Sequence, residues 1–156
     1  MDSKGGSIMK KKMVLAVLVF LLSAFFVKVE ASELKDYIEI SIERQEISMY
    51  LNGKLLVSGP VVTGNVDAGR DTPTGVFSIQ DMACDVVLEG PGYASHVTYW
   101  MPIYGGVGIH DADEWRDEYG GDIYLYDGSH GCINVPLEVV KIIFENAYIG
   151  MTVIVN

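Results

Sequence analysis

The strongest constraint on the fold is an alternation of apolar and polar residues with a period of two, which begins near residue 37. Isoleucine occupies every second position from Ile38 to Ile42, and residues 47–51 repeat the pattern. Such a period places neighbouring side chains on opposite faces, as in a half-buried β-strand. Asn52 and Gly53 then form a pair typical of a type I′ turn. The pattern therefore predicts a β-hairpin whose second strand covers residues 54–62.

The rest of the chain predicts a mainly β, mainly antiparallel domain with one or two helices. Further strands are predicted over residues 75–80, 97–103 and 151–155. Pro136 suits the first position of a helix because its missing N–H would be unpaired there in any case. The predicted apolar face of this helix consists of Leu137, Val140, Phe144 and Ala147. No repeat or second domain is evident, so a single domain is predicted.

The first 31 residues are typical of a secretory signal peptide. Lys10–Lys12 supply a positive segment, Met13–Val27 is apolar except for Ser23, and Ala31 ends a site suited to signal peptidase. The apolar run of 15 residues is shorter than the roughly 20 that a permanent transmembrane helix needs. An uncleaved anchor and a start at Met9 remain alternatives. In each case residues 32–156 are predicted to fold outside the cytoplasm.

The charge of the chain narrows the classes of partner. The chain has 11 basic and 21 acidic residues, and residues 1–31 contain 5 of the basic and 2 of the acidic ones. The predicted mature domain therefore carries 6 basic and 19 acidic residues. So acidic a domain disfavours nucleic acid and anionic membrane surfaces as partners, because both carry negative charge. A peptide or sugar–peptide substrate is compatible with this charge.

A candidate nucleophile lies near the end of the chain. The segment Ser129–Asn134 reads Ser-His-Gly-Cys-Ile-Asn, and His110 lies upstream of it. The thiolate is the reactive form of cysteine, and a thiol with an ordinary pKa of about 8.5 needs a neighbouring base. Gly131 allows a tight turn just before Cys132 and leaves amides free to face an oxyanion. The pattern predicts a nucleophilic cysteine with histidine as its proton acceptor.

These residues resemble the signature of the L,D-transpeptidase catalytic domains, the YkuD-like family. That signature is a histidine, a loop of under twenty residues, Ser/Thr-His-Gly-Cys, a hydrophobic residue and Asn. Here 18 residues separate His110 from Ser129. Three further segments resemble the family: residues 72–79, which begin Thr-Pro-Thr-Gly, residues 99–102 and residues 111–116. The resemblance covers about residues 37–156 and implies a β-sandwich with the catalytic cysteine at its edge.

The resemblance also implies a reaction and roles in it. Cys132 would attack a carbonyl of a peptidoglycan tetrapeptide stem, release the terminal D-Ala and form a thioester, and an amine of a second stem would take the acyl group to form a 3→3 cross-link. His110 would be the base, with its other ring nitrogen bonded to a backbone carbonyl near Asp111 or to that carboxylate. The amides of Gly131 and Cys132 would form the oxyanion hole, and His130 would shape the pocket.

Other residues are expected to support the site or to bind substrate. Ser129 and Asn134 are expected to brace the loop through local hydrogen bonds. The candidate substrate-binding residues are Tyr99, Trp100, Tyr104 and Arg116. For these aromatic residues and Trp115 a place in the core is an equal alternative, and for Arg116 an ion pair with a nearby acid is the alternative. The expected partner is the stem peptide, without cofactor or metal. The domain is expected to act as a monomer, and carbapenems are expected to acylate its cysteine.

Other functions remain open from sequence alone. Transfer of the same thioester to water would make the protein an L,D-carboxypeptidase. His110, His130 and Cys132 are potential ligands of a zinc hydrolase, although they lack the usual paired spacing. A non-catalytic module that binds the cell wall is the remaining alternative. Cys84 is expected to be a half-buried free thiol, because a disulfide with Cys132 would remove the nucleophile.

Overall fold

The computed structural model describes residues 34–156, so the predicted signal peptide lies outside the described residues. Within this range the strands are β1 (Tyr37–Ser41), β2 (Glu46–Leu51), β3 (Lys54–Pro60), β4 (Gly75–Ser78), β5 (Ala83–Gly90), β6 (Tyr93–Tyr104), β7 (Val107–Asp111), β8 (Ile133–Val135) and β9 (Thr152–Val155). The helices are α1 (Ile123–Asp127) and α2 (Leu137–Asn146). Neither of them is long and apolar enough to cross a membrane.

The strands form two sheets that mix antiparallel and parallel pairs. The first sheet has the order β3-β2-β1-β9-β4, and the second has the order β5-β6-β7-β8. Strand β1 pairs with β9 in parallel, and so does β7 with β8, whereas the other pairs are antiparallel. The prediction of a mainly β domain with short helices is confirmed. The parallel pair of β7 and β8 matters most, because it joins the two parts of the predicted motif.

The core contains the apolar residues that the period of two predicts. Ile38 and Ile40 of β1 are fully buried in one cluster with residues of the second sheet such as Met101 and Ile109. Burying a side chain of this size contributes about 1.5–3 kcal/mol each. Asn52 and Gly53 have positive φ values of 52° and 72°, as the predicted hairpin turn requires.

Helix α2 turns most of the predicted face to the core, because Val140 is fully buried and Phe144 and Ala147 pack against the core cluster. Leu137, expected in the core, is 37% exposed, whereas Val139, Val140 and Ile143 are buried. The helix begins at Leu137 with Pro136 as its N-cap, and the carboxylate of Asp113 accepts a hydrogen bond from the Leu137 amide at 2.9 Å. This contact from a distant loop holds the start of the helix, where local periodicity did not predict the exposure of Leu137.

Strand β5 and helix α1 were not predicted. Residues 89–92 contain the turn of a long hairpin between β5 and β6, in which Val86 pairs with Val97. Because β5 is an edge strand, its identity depends on this pairing more than on its own pattern. Cys84 lies on β5 and is exposed, so the expectation of a half-buried thiol was wrong.

Candidate active site

A cavity of about 270 Å³ lies where strand β8 forms the edge of the second sheet. Its wall consists of Leu88, Tyr93, Ser95, His110, Trp115, Arg116, Asp127, Gly128, Ser129, His130, Cys132 and Asn134. The register of the parallel strands pairs His110 of β7 with Asn134 of β8. Cys132 comes just before β8. The sheet therefore brings the upstream histidine and the cysteine motif to one cavity.

His110 is held as a neutral imidazole with a basic Nε2 atom. The residue is buried, and Nδ1 lies 2.6 Å from the backbone oxygen of Asp111. A carbonyl oxygen only accepts hydrogen bonds, so Nδ1 carries the proton and Nε2 keeps its lone pair. The side-chain amide of Asn134 donates to Nε2 at 3.3 Å. Burial lowers the pKa of His110, against a smaller opposite effect of the Asp111 carbonyl.

The carboxylate of Asp111 has a structural task. Its two oxygens accept hydrogen bonds from the backbone amides of Thr98, at 3.0 Å, and Tyr99, at 2.8 Å. It therefore binds the end of β7 to β6. Of the two expected partners for the histidine ring, the backbone carbonyl is the one that makes the contact.

The thiol of Cys132 is protonated in the resting site. Sγ donates to the backbone oxygen of Gly106 at 3.8 Å. Burial raises the pKa of Cys132, and a backbone hydrogen bond with Gly108 offsets part of that effect. Within residues 34–156 no hydrogen bond joins Sγ to a histidine. The resting pair is consequently a neutral thiol and a neutral imidazole.

Ser129 closes the loop before the cysteine, and this changes the expected oxyanion hole. Its hydroxyl donates to the backbone oxygen of Cys132 at 2.5 Å and accepts from the amide of Gly131 at 3.0 Å. The Gly131 amide, which was expected to face the oxyanion, is thus occupied in this state. The amide of Cys132 has no hydrogen-bond partner within the described part of the chain. One of the two expected donors is free.

Thr72 holds the same loop from the opposite side. Its buried hydroxyl donates to the backbone oxygen of Gly131 at 2.8 Å and accepts from the amide of Gly64 at 2.8 Å. Gly131 has a φ of +115°, which other residues rarely adopt. Sequence reasoning placed Thr72 only in a segment that resembles the family. Its contact with Gly131 was missed because the two residues are 59 positions apart.

The hairpin of β5 and β6 forms the opposite wall of the cavity. The ring of Tyr93 lies against that of His130, with 4.9 Å between the ring centroids. Leu88 and Ser95 of the same hairpin also line the cavity. His130 is exposed and belongs to the wall, where sequence analysis expected it. The hairpin residues were not predicted, because only the folded hairpin brings them to the cysteine.

The expected substrate-binding residues divide into two groups. Arg116 lines the cavity, and so does Trp115. Tyr99 and Tyr104 instead pack against phenylalanine rings, with centroid distances of 4.9 and 5.3 Å. Trp100 packs beside the histidine of β7, with 5.8 Å between the ring centroids, and does not line the cavity. Tyr99, Trp100 and Tyr104 do not line this cavity, and their part in substrate binding stays a prediction.

The zinc alternative requires three ligands at one point. Among residues 34–156, no three His, Cys, Asp or Glu side chains are grouped so that they could hold a metal ion. The Nδ1 atom of His110 is bonded to a carbonyl, and the ring of His130 packs on Tyr93. The described arrangement places Cys132 and His110 in the wall of one cavity.

The chain was compared with known families and structures. The sequence profile of the L,D-transpeptidase catalytic domain (YkuD) matches residues 35–155. The solved structure of a cysteine-to-serine mutant of the Enterococcus faecium L,D-transpeptidase is 41% identical with a TM-score of 0.74, and the match covers 79% of this chain and 50% of that one. The catalytic domain of the E. faecium enzyme acylated by ertapenem is also 41% identical, with a TM-score of 0.70, and the match covers 78% of this chain and 97% of that domain.

A Mycobacterium smegmatis L,D-transpeptidase shares the fold at 22% identity, with a TM-score of 0.67 and coverage of 78% of this chain and 58% of that one. A comparison with curated protein sequences gives no match. The chain matches about half the length of the first E. faecium structure. The comparisons therefore concern the catalytic domain of the E. faecium enzyme and not the rest of its length.

Proposed function

The chain belongs to the L,D-transpeptidase catalytic domain family, and on this premise we propose that it is a peptidoglycan L,D-transpeptidase with Cys132 as its nucleophile. The observation that carries the proposal is the pairing of β7 with β8, which brings a histidine with an unprotonated Nε2 atom into the cavity of the cysteine. A nucleophile and a base held by a third group are the parts that acyl transfer requires.

In the first half-reaction Sγ of Cys132 attacks the carbonyl that precedes the terminal D-Ala of a tetrapeptide stem. The S–C bond forms, the C–N bond breaks, and the thiol proton passes through Nε2 of His110 to the leaving amine. Asn134 donates to the same Nε2 atom at 3.3 Å, which is long for a hydrogen bond. This contact orients the ring and yields readily when the thiol approaches.

The proton moves together with the attack. The raised pKa of Cys132 and the lowered pKa of His110 both favour the neutral pair over a thiolate–imidazolium pair. A resting thiolate is therefore scarce, and His110 acts as a general base. The carbonyl of Asp111 stabilises the imidazolium that forms, because it keeps the bond to Nδ1–H.

The oxyanion of the tetrahedral intermediate is stabilised by the amide of Cys132, which is free in the resting site. One such donor is worth about 2.7–4 kcal/mol in the transition state. The Gly131 amide would join it only by leaving Ser129. We therefore assign Ser129 and Thr72 to positioning the loop, and the Cys132 amide to the reaction.

In the second half-reaction an amine of another stem attacks the thioester: the C–N bond of the 3→3 cross-link forms, the C–S bond breaks, and a proton of the amine passes through Nε2 of His110 to Sγ of Cys132. The stem peptide is the partner in this proposal, and the reaction takes place outside the cytoplasm, where the cell wall lies. Two observations support the proposal: the match to the family over residues 35–155 and the identity of 41% with an L,D-transpeptidase. Water as the acceptor would give an L,D-carboxypeptidase from the same residues.

Mass spectrometry of the intact chain tests the proposal. Incubation with a stem tetrapeptide should yield an acyl-enzyme, free D-Ala and, with a second stem, a cross-linked dimer. A carbapenem should add one drug mass at Cys132, as ertapenem acylates the similar E. faecium domain. Cys84 is exposed, so the Cys84→Ala variant is the matched control and should react unchanged, whereas Cys132→Ala should not react. No adduct on folded protein would refute the proposal, and D-Ala release without a dimer would favour the carboxypeptidase.

A further inference from the structure

Arg116 is a cation in an acidic part of the molecule. Among the described residues that line the reaction cavity it is the one side chain with a permanent positive charge. A neighbouring cavity of about 270 Å³ shares Arg116 and Asp127 with the first and is also lined by Asp117 and Glu118. An anionic ligand that enters this cavity therefore meets one permanent cation, Arg116, beside the carboxylate of Asp127.

The guanidinium is fixed in place yet keeps donors available. Its side chain is only 8% exposed. Nη1 donates to the carboxylate of Asp127 at 3.2 Å, and Nη2 donates to the backbone oxygen of the same residue at 2.8 Å. Nε is buried and has no hydrogen-bond partner within residues 34–156. A guanidinium carries five N–H donors, and the two contacts to Asp127 use one on each terminal nitrogen, so N–H donors remain for another oxygen acceptor.

We infer that Arg116 holds the terminal carboxylate of the donor peptide, an inference that rests on the proposed transpeptidase function. In a tetrapeptide donor one carbon separates this carboxylate from the nitrogen of the bond that breaks. When Cys132 attacks the donor, this carboxylate therefore lies near the wall of the same cavity, and a cation in that wall can bind it. Arginine suits it because the planar fork can bind both carboxylate oxygens. One more residue at the end of the stem would move the carboxylate away, so Arg116 also selects the length of the donor.

Two donors that differ only at the carboxylate test the inference. The rate at which a stem tetrapeptide acylates Cys132 is compared with that of the same peptide ending in a carboxamide. The wild-type chain should prefer the free acid by about 10-fold or more, as expected for a charge-assisted contact. Arg116→Gln should bring the ratio of the two rates close to one, and Arg116→Lys should retain part of the preference. Arg44→Gln removes an exposed, remote arginine and should leave the ratio unchanged.

The ratio separates substrate binding from a structural role. If Arg116 serves only to hold Asp127, Arg116→Gln will slow both donors by the same factor and keep the preference, which overturns the inference. Equal wild-type rates for the two donors also overturn it, even if no Arg116 variant folds. A wild-type chain that neither donor acylates overturns the proposed function itself and is thereby distinguished from failure of this inference alone.

Discussion

Thr72→Val should weaken both the fold and the reaction, because it removes one hydroxyl from the loop beneath the cysteine. The substitution keeps the size of the side chain and replaces the hydroxyl with a methyl group. That hydroxyl donates to the backbone oxygen of Gly131 and accepts from the amide of Gly64, each at 2.8 Å. Thr72 is 4% exposed, so water cannot readily replace the lost partner.

The expected loss of stability follows from the two backbone groups, the carbonyl of Gly131 and the amide of Gly64, that lose their hydrogen-bond partner. Leaving one buried donor or acceptor unpaired costs about 1–3 kcal/mol, so the free energy of unfolding should fall by about 2–4 kcal/mol after partial relaxation. For a domain of this size that lowers Tm by roughly 10 °C. Displacement of Gly131 also moves the adjacent cysteine, and acylation of Cys132 should slow by roughly 10- to 100-fold.

Thermal unfolding followed by circular dichroism measures the first effect, and mass spectrometry of the acyl-enzyme measures the second. Thr74→Val is the matched control, because Thr74 belongs to the same segment but is exposed. Thr72→Ser keeps the hydroxyl and should restore most of both properties. The reasoning is wrong if Thr72→Val melts within about 2 °C of Thr74→Val and reacts with the tetrapeptide at the same rate.

Three further outcomes are expected. Cys132→Ser should fold normally and lose at least about 99% of its turnover, because His110 is set to deprotonate a thiol and a hydroxyl has a far higher pKa; greater residual turnover would argue against covalent catalysis. His110→Ala should slow acylation of Cys132 more than His130→Ala does. In the wild type the lowered pKa of His110 should place the acid limb of the pH–rate profile below about pH 6.5, and an acid limb above that pH would contradict a buried base. The hydrogen bond to Glu114 raises the pKa of His96, so this contact should stabilise the fold below about pH 6.5 and lose its effect as pH rises through the raised pKa of the folded state. His96→Gln should therefore lower Tm at about pH 5.5 but not at pH 8.5, and an equal loss of Tm at both pH values would refute the linkage.

The strands near the amino end of the domain could be predicted because their cause is local. The alternation in β1 and β2 needs only one buried face, and Asn52 with Gly53 needs only the backbone freedom of those two residues. Strand β5 could not be predicted in this way. It lies at a sheet edge, and its pairing with β6 across seven registered positions, rather than its composition, makes it a strand.

The sequence by itself indicated which chemistry to look for. A cysteine after a glycine, with a histidine upstream, predicted a nucleophile and a base, and the order of these residues was enough to suggest the family. The burial of Ile38 and Ile40 also followed from their spacing. These properties depend on residue type and on neighbours along the chain, which a sequence displays directly.

Only the tertiary structure decided how that chemistry is arranged. The register of β7 and β8 brought the side-chain amide of Asn134 to Nε2 of His110. The hydroxyl of Ser129 accepts from the amide of Gly131, so of the two expected oxyanion donors only the amide of Cys132 is free. The pKa directions of both reacting groups come from burial beneath parts of the chain far away in sequence. Hydrogen bonds and desolvation act over a few ångströms of space, and chain order does not specify which distant residues come within that range.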